Sequence, residues 1–205
     1  MHITDGSGTS GISRAFILGA GLGTRLRPLT DILPKPLIPF FHEPLVLHAM
    51  RRCHECGIRE FIINTHHLAD AWDRVFPERS WNGCPVHFSH EAVLLDSGGG
   101  VKKIEPWAAA DEPLLVMNGD TAATFDLHRV IAAHMGFDAS SGLVTDMRHA
   151  LGRDPGACQF TGAYCMEPEV FGRIPTDEAV SIIPVFLDYI REGRLHGILA
   201  DDGLW

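Results

Sequence analysis

The sequence has no run approaching the roughly 18 consecutive apolar residues of a membrane-crossing helix, and Met1 to Ser13 is polar rather than a charged segment leading into an apolar one. No membrane partner and a cytoplasmic location are expected. Positive charge is also short: 17 lysines and arginines face 26 aspartates and glutamates, a formal net charge of −9. That balance argues against a nucleic-acid partner, though a small anion could still be held in a local basic pocket. Cysteine is scarce and odd in number. Cys53, Cys56, Cys84, Cys158 and Cys165 are too scattered for a disulfide framework, so reduced thiols are expected. Cys53-His54-Glu55-Cys56 has no second pair at zinc-finger spacing, which favours two ordinary cysteines. No Gly-x-x-x-x-Gly-Lys-[Ser/Thr] occurs, so a P-loop is unsupported, and there is neither an internal repeat nor a low-complexity linker.

What is present is an ordinary globular composition, 45% hydrophobic and 21% charged over 205 residues, suited to one domain. Residues 1–13 read as a disordered tail and 14–205 as the domain. Ala15 to Leu18 is a short apolar run suited to a buried parallel strand, and Leu45, Val46, Ala49 and Met50 recur at helical spacing between Glu43 and Cys56. Further strands are expected at Phe61–Asn64, Val86–Ser89, Leu114–Met117, Gly142–Thr145 and Phe160–Met166. Helices are expected at Leu68–Phe76, Gly98–Trp107, Leu127–His134 and Ala179–Glu192, with a turn of helix at Pro168–Phe171. Strands alternating with helices give an α/β fold, a Rossmann-like, mostly parallel sheet with helices on both faces.

The first strand runs into Gly19-Ala20-Gly21-Leu22-Gly23-Thr24-Arg25, and a glycine-dense turn at such a place lets backbone N–H groups approach a phosphate. A dinucleotide fingerprint counted from Gly19 would need glycine at Thr24, and Arg25-Leu26-Arg27-Pro28 replaces the uninterrupted helix, so a redox Rossmann site is disfavoured. Arg25, Arg27 and Lys35 crowd this loop in an otherwise acidic chain. Lys35 lies between Pro34 and Pro36, which stiffen the backbone around one ammonium. Arg25 and Lys35 together could hold a triphosphate and meet charge developing at one phosphorus.

Gly19 to Thr30 followed by Pro34-Lys35-Pro36 resembles the signature of the sugar-1-phosphate nucleotidyltransferases, or NDP-sugar pyrophosphorylases. Further similarities follow in order: Ile63-Asn64-Thr65-His66-His67, Glu91 with Leu95-Asp96-Ser97-Gly98-Gly99-Gly100, Val116-Met117-Asn118-Gly119-Asp120, Phe160-Thr161-Gly162 and Pro168-Glu169-Val170-Phe171. The resemblance covers about Arg14 to Trp205 and is strongest to the small bacterial enzymes that include N-acetylmuramate α-1-phosphate uridylyltransferase.

The resemblance implies a glycosyltransferase-A-like nucleotidyltransferase fold and transfer of a nucleoside monophosphate from an NTP to a sugar 1-phosphate, giving an NDP-sugar and pyrophosphate. Ala20, Gly21, Gly23 and Thr24 would wrap the triphosphate, and Asn64 would belong to the same nucleotide site. Arg25 would act on the departing pyrophosphate and Lys35 near the α-phosphate. Gly98 and Gly99 would leave room for the base, and Asp120 would hold Mg²⁺. UTP is the favoured nucleotide, with GTP or dTTP the alternatives; base and sugar stay open. A monomer or small homo-oligomer is expected. His66-His67 is either a hydrogen-bonded loop pair or a substrate contact. Trp72, Trp81 and Trp107 read as packing residues, and Asp201-Asp202 as a solvated turn.

Two departures qualify the likeness. The family's second metal-binding aspartate usually follows a tryptophan like Trp205 in an Asp-(Ile/Val)-Gly-Thr segment, and Thr145 to Cys158 is shorter than the usual hairpin carrying a sugar-contacting glutamate. The expectation is that the chain lacks segments of its natural counterpart, including a C-terminal one. The alternative is a catalytically weak nucleotide- or nucleotide-sugar-binding regulatory module. The absence of the distal aspartate favours that alternative, and Arg25, Lys35 and Asp120 oppose it.

Overall fold

A computed structural model describes residues 11–108, 112–134, 142–153 and 159–200. In chain order its elements are β1 (Arg14–Leu18), a hairpin of β2 (Pro39–Phe40) and β3 (Glu43–Pro44), α1 (Leu45–Glu55), β4 (Glu60–Thr65), α2 (Asp70–Val75), β5 (Ser80–Trp81) and β6 (Cys84–His90). They continue with α3 (Asp96–Lys103), β7 (Leu114–Asn118), α4 (Leu127–His134), β8 (Gly142–Leu143), β9 (Ala163–Met166), α5 (Ile183–Arg191) and β10 (His196–Gly197). Six strands form one sheet in the order β5-β6-β4-β1-β7-β9. The four inner strands are parallel, and β5 and β9 close the edges antiparallel.

Alternation along the inner strands sorts two cores. Ala15 and Ile17 of β1, Phe61 and Ile63 of β4, and Leu115 and Met117 of β7 face one side, where they meet Val46, Ala49, Met50 and Cys53 of α1, Trp72 of α2, and Leu127 and Ile131 of α4. Phe16, Ile62, Leu114 and Val116 face the other, against Val101 of α3 and Val185, Phe186 and Tyr189 of α5. Helices therefore cover both faces, which is why the inner strands read as continuous apolar runs rather than alternating ones. The chain builds outward from β1 through β4 to β6, then crosses back to place β7 on β1's other side. The carboxyl ends of β1 and β7 thus flank the switch point at which open α/β sheets hold ligands.

Several expected boundaries shift. Ile12 is fully buried, and Ser13 O accepts the N–H groups of Arg59 and Glu60, so packing begins before Arg14. The strand expected over Gly142–Thr145 shortens to β8 and pairs with β10 outside the main sheet. α5 starts at Ile183 because Pro184 is accommodated only in a first turn, where its missing N–H costs nothing. α3 starts two residues before Gly98 and is followed by a separate 3-10 turn over Glu105–Trp107. The strand expected from Phe160 begins only at Ala163, after Gly162 at φ +81°. Residues 1–10 of the expected tail, Cys158, Asp201-Asp202 and Trp205 lie outside the described residues.

Candidate functional site

A cleft of about 640 Å³ opens at the carboxyl ends of β1, β4 and β7. One wall is the glycine loop, with Gly19, Ala20, Gly21, Gly23, Arg25 and Leu26; Lys35 and Pro36 close one end, and Asn118 and Asp120 continue from β7. Seven of the predicted residues, Ala20, Gly21, Gly23, Arg25, Lys35, Asn64 and Asp120, line this one space with the neighbouring Gly19, although they come from widely separated parts of the chain.

The loop is held by fit. Gly23 sits in the left-handed region at φ +60°, and a Cβ there would come within 2.7 Å of Thr30 Cγ2. Thr30 in turn donates its hydroxyl to Gly23 O, and its own carbonyl lies 2.8 Å from His67 Nε2. His66 Nδ1 is 2.7 Å from Glu91 O. Both histidines therefore brace loops, and neither lines the cleft.

Asn64, nearly fully buried at the end of β4, has both polar ends engaged. Its Oδ1 accepts Gly19 N–H at 2.7 Å, and its Nδ2 donates to Glu91 Oε1 at 2.7 Å. Glu91, also buried, uses Oε2 to accept Leu95 N–H at 2.9 Å. A continuous polar chain thus ties the glycine loop to the segment opening α3. Burial makes each link expensive to leave unmade, so the two walls of the cleft are fixed relative to one another.

At the far end Lys35 Nζ lies 2.5 Å from Asp120 Oδ2. Both backbones are anchored: Pro34, Pro36 and Leu37 are buried around Lys35, and Gly119 N–H donates to Leu18 O beside Asp120. The side chains are about 30% exposed, which places such a pair in the range of about 0–1 kcal/mol. It is cheap to open.

Three predicted contacts sit differently. Gly98 and Gly99 are buried away from the cleft, and both N–H groups donate to Val180 O. A Cβ on Gly99 would fall 2.3 Å from Glu178 O, so the space these glycines leave is filled by the backbone of 178–181. Thr24, exposed in the 3-10 turn Thr24–Leu26, does not line the cleft either. The wall opposite the glycine loop is made instead by Leu94, Asp96 and Ser97, which flank the Gly-Gly-Gly run; Asp96 adopts φ +59°, an unusual setting that aspartate tolerates.

Among the described residues no cluster of three or more His, Cys, Asp or Glu side chains is arranged for a metal, and no helix is long and apolar enough to cross a membrane. Burial holds three of the thiols protonated: Cys56 is pushed up to about 11 and Cys165 to about 12, with Cys53 raised further. Cys53 Sγ rests 3.7 Å from Met117 Sδ in the core. Trp72 packs fully buried among Phe76 and Phe88, and Trp81 lies edge-on to Phe61. A larger cavity, about 810 Å³, borders β9 between Phe125, His134, Tyr164 and Phe186, and contains none of the predicted residues.

Comparison with known proteins agrees with this geometry. A family model described as nucleotidyl transferase matches residues 14–151. The chain is 26% identical over 230 residues to the UTP–glucose-1-phosphate uridylyltransferase of Synechocystis sp., an alignment spanning 93% of this chain and 56% of that protein. It is 30% identical over 213 residues to the N-acetylmuramate alpha-1-phosphate uridylyltransferase of Neisseria meningitidis serogroup B, spanning 94% of this chain and 91% of that one. In fold it superposes on a Bacillus anthracis protein crystallised with sucrose, with a TM-score of 0.77 over 95% of this chain and 88% of the other at 18% identity. The chain belongs to the nucleotidyl transferase family, alongside the sugar-1-phosphate nucleotidyltransferases it resembles in sequence.

Proposed function

We propose that the protein transfers a nucleoside monophosphate from an NTP to a sugar 1-phosphate, releasing pyrophosphate and forming an NDP-sugar. The observation that carries this reading is the convergence of the glycine loop, Arg25, Lys35 and Asp120 on one cleft at the switch point of the sheet. The glycine loop would receive the triphosphate along its backbone N–H groups. Arg25 would fork onto the departing pyrophosphate, and Lys35 would meet charge growing at the α-phosphorus as a sugar phosphate oxygen attacks in line. Holding two mutually repelling phosphates in that alignment is the main task, and no covalent nucleophile is needed.

Asp120 suits a Mg²⁺ ion, a hard cation that takes one or two carboxylates and completes its shell with water and phosphate oxygens. Its carboxylate lines the cleft, half-exposed, beside Asn118. When bound, the ion supplies charge neutralisation at the phosphates. Relatives named as uridylyltransferases and as guanylyltransferases both align; the two uridylyltransferases span over nine-tenths of this chain, which is the support for taking UTP ahead of GTP or dTTP. Both are named as enzymes, which supports catalysis over a regulatory role. A cytoplasmic monomer or small homo-oligomer acting on no nucleic acid completes the reading.

The test is a pyrophosphate-release screen of four NTPs against a panel of sugar 1-phosphates, beside melting measurements with NTP and Mg²⁺ or with NAD. Release with one NTP–sugar pair, and stabilisation by NTP but not NAD, is expected. Stabilisation by NAD and by no NTP overturns the assignment.

A further inference from the structure

The ammonium of Lys35 stands where a cation would bind Asp120. Its Nζ is 2.5 Å from Oδ2. The contact is built into the backbone on both sides. Lys35 opens a 3-10 turn whose proline neighbours are buried, and Asp120 follows Gly119, where a Cβ would meet Leu18 O at 2.9 Å. The side chain that bridges the two is a flexible four-carbon stem, able to swing while its backbone stays put. Oδ2, which holds the ammonium, is closed to a divalent ion at the roughly 2.0–2.1 Å that Mg²⁺ demands, and an ion on Oδ1 of the same carboxylate would stand close enough to the ammonium for the two cations to repel.

We propose that Lys35 and a divalent cation compete for the Asp120 carboxylate, the ion pair serving as a placeholder that a triphosphate releases by drawing the ammonium onto its own oxygens. The inference rests on the reading of Asp120 as the metal ligand. Its consequence is reciprocal: nucleotide binding frees Asp120 for the cation, and cation binding frees Lys35 for the nucleotide, so each strengthens the other beyond their direct contact.

The experiment measures Mn²⁺ alone binding to the full chain by electron paramagnetic resonance, with no nucleotide present. Lys35→Met is expected to bind Mn²⁺ about tenfold or more tighter than the unaltered protein. Arg25→Met removes a cation lining the same cleft that is not paired with Asp120, and is expected to change the affinity by under about threefold. Equal gains in both variants, or no gain in Lys35→Met, overturn the competition. Adding Asp120→Asn to Lys35→Met should abolish the gain. If the gain survives, the cation is bound elsewhere, and the assignment of Asp120 as metal ligand fails as well. A second measurement uses only the unaltered protein. Mg²⁺ alone should speed reductive methylation of Lys35, read by mass spectrometry against Lys103, and an unchanged rate refutes the release.

Discussion

Three glycines of one loop carry different duties, and the structure separates them quantitatively. Gly23 holds φ +60° with Thr30 Cγ2 2.7 Å from the position of a Cβ. Alanine there bears about 1–2 kcal/mol for left-handed backbone plus the displacement of Thr30, which braces the loop by its own hydrogen bond. At Gly19 a Cβ would meet Asn64 O at 2.8 Å and the Trp72 ring at 2.9 Å, neither of which is the mobile end of a side chain, so overpacking costs about 1–3 kcal/mol. At Gly21 nothing lies within 4 Å, and the residue lines the cleft. Gly21→Ala should therefore leave stability within about 0.5 kcal/mol. Urea unfolding should rank the variants accordingly, and the melting temperature should fall by about 2–4 °C for each kcal/mol lost in a chain of this size. In pyrophosphate release the order inverts in meaning. Gly21→Ala, folded as before, should raise KM for the NTP by about tenfold, equivalent to about 1.4 kcal/mol, because its methyl occupies space meant for phosphate. A destabilised Gly21→Ala would refute the packing argument; a stable one with unchanged KM would refute the phosphate cradle.

Asn64→Ala strips partners from Gly19 N–H and Glu91 Oε1 together, and should destabilise by about 1–3 kcal/mol for each group left unsatisfied, read by urea unfolding; a cost under half that range contradicts the buried chain. Arg25→Ala or Lys35→Ala should cut turnover at least about tenfold, about 1.4 kcal/mol of transition-state stabilisation, and near-normal turnover in both would sink the proposed roles. Asp120→Asn should remove Mg²⁺-dependent turnover with the far-ultraviolet circular dichroism unchanged, whereas full activity would take Asp120 out of the site. Burial acts to raise the Asp146 carboxyl, but the N–H groups of Leu151, Arg153 and Met147 outweigh it and hold the group below the ordinary aspartate range. Its contribution to stability is thus present above the unfolded value of about 3.9 and is lost as pH falls through the lower folded one; a carboxyl ¹³C titration with its midpoint at or above the ordinary value contradicts this.

The sheet was legible because burial on both faces leaves an unmistakable apolar run: Ala15 to Leu18, Phe61 to Asn64 and Leu114 to Met117 all fall inside observed strands. Helix α4 was legible from its first residue, the expected Leu127, with Asp126 Oδ1 accepting His128 N–H at the start. The glycine loop, Lys35 and Asp120 could be brought to one place because a parallel sheet collects its ligand-bearing loops at the carboxyl ends of its strands. What the sequence could not convey was what fills the space beside a glycine. Gly98, Gly99 and Gly21 look alike in a string of letters, yet the first two are closed off by the 178–181 backbone, some eighty residues away, and only the third faces open space. Asn64 illustrates the same limit with a polar side chain. A conspicuous asparagine at the end of a strand suggests a ligand contact, but its partners, Gly19 and Glu91, emerge only once β1, β4 and β6 lie side by side. Its place in the cleft is therefore consistent with a supporting duty: it fixes the distance between the two walls, and the groups left free to meet a nucleotide are the ones the packing does not consume, Gly21, Arg25 and, once parted from each other, Lys35 and Asp120.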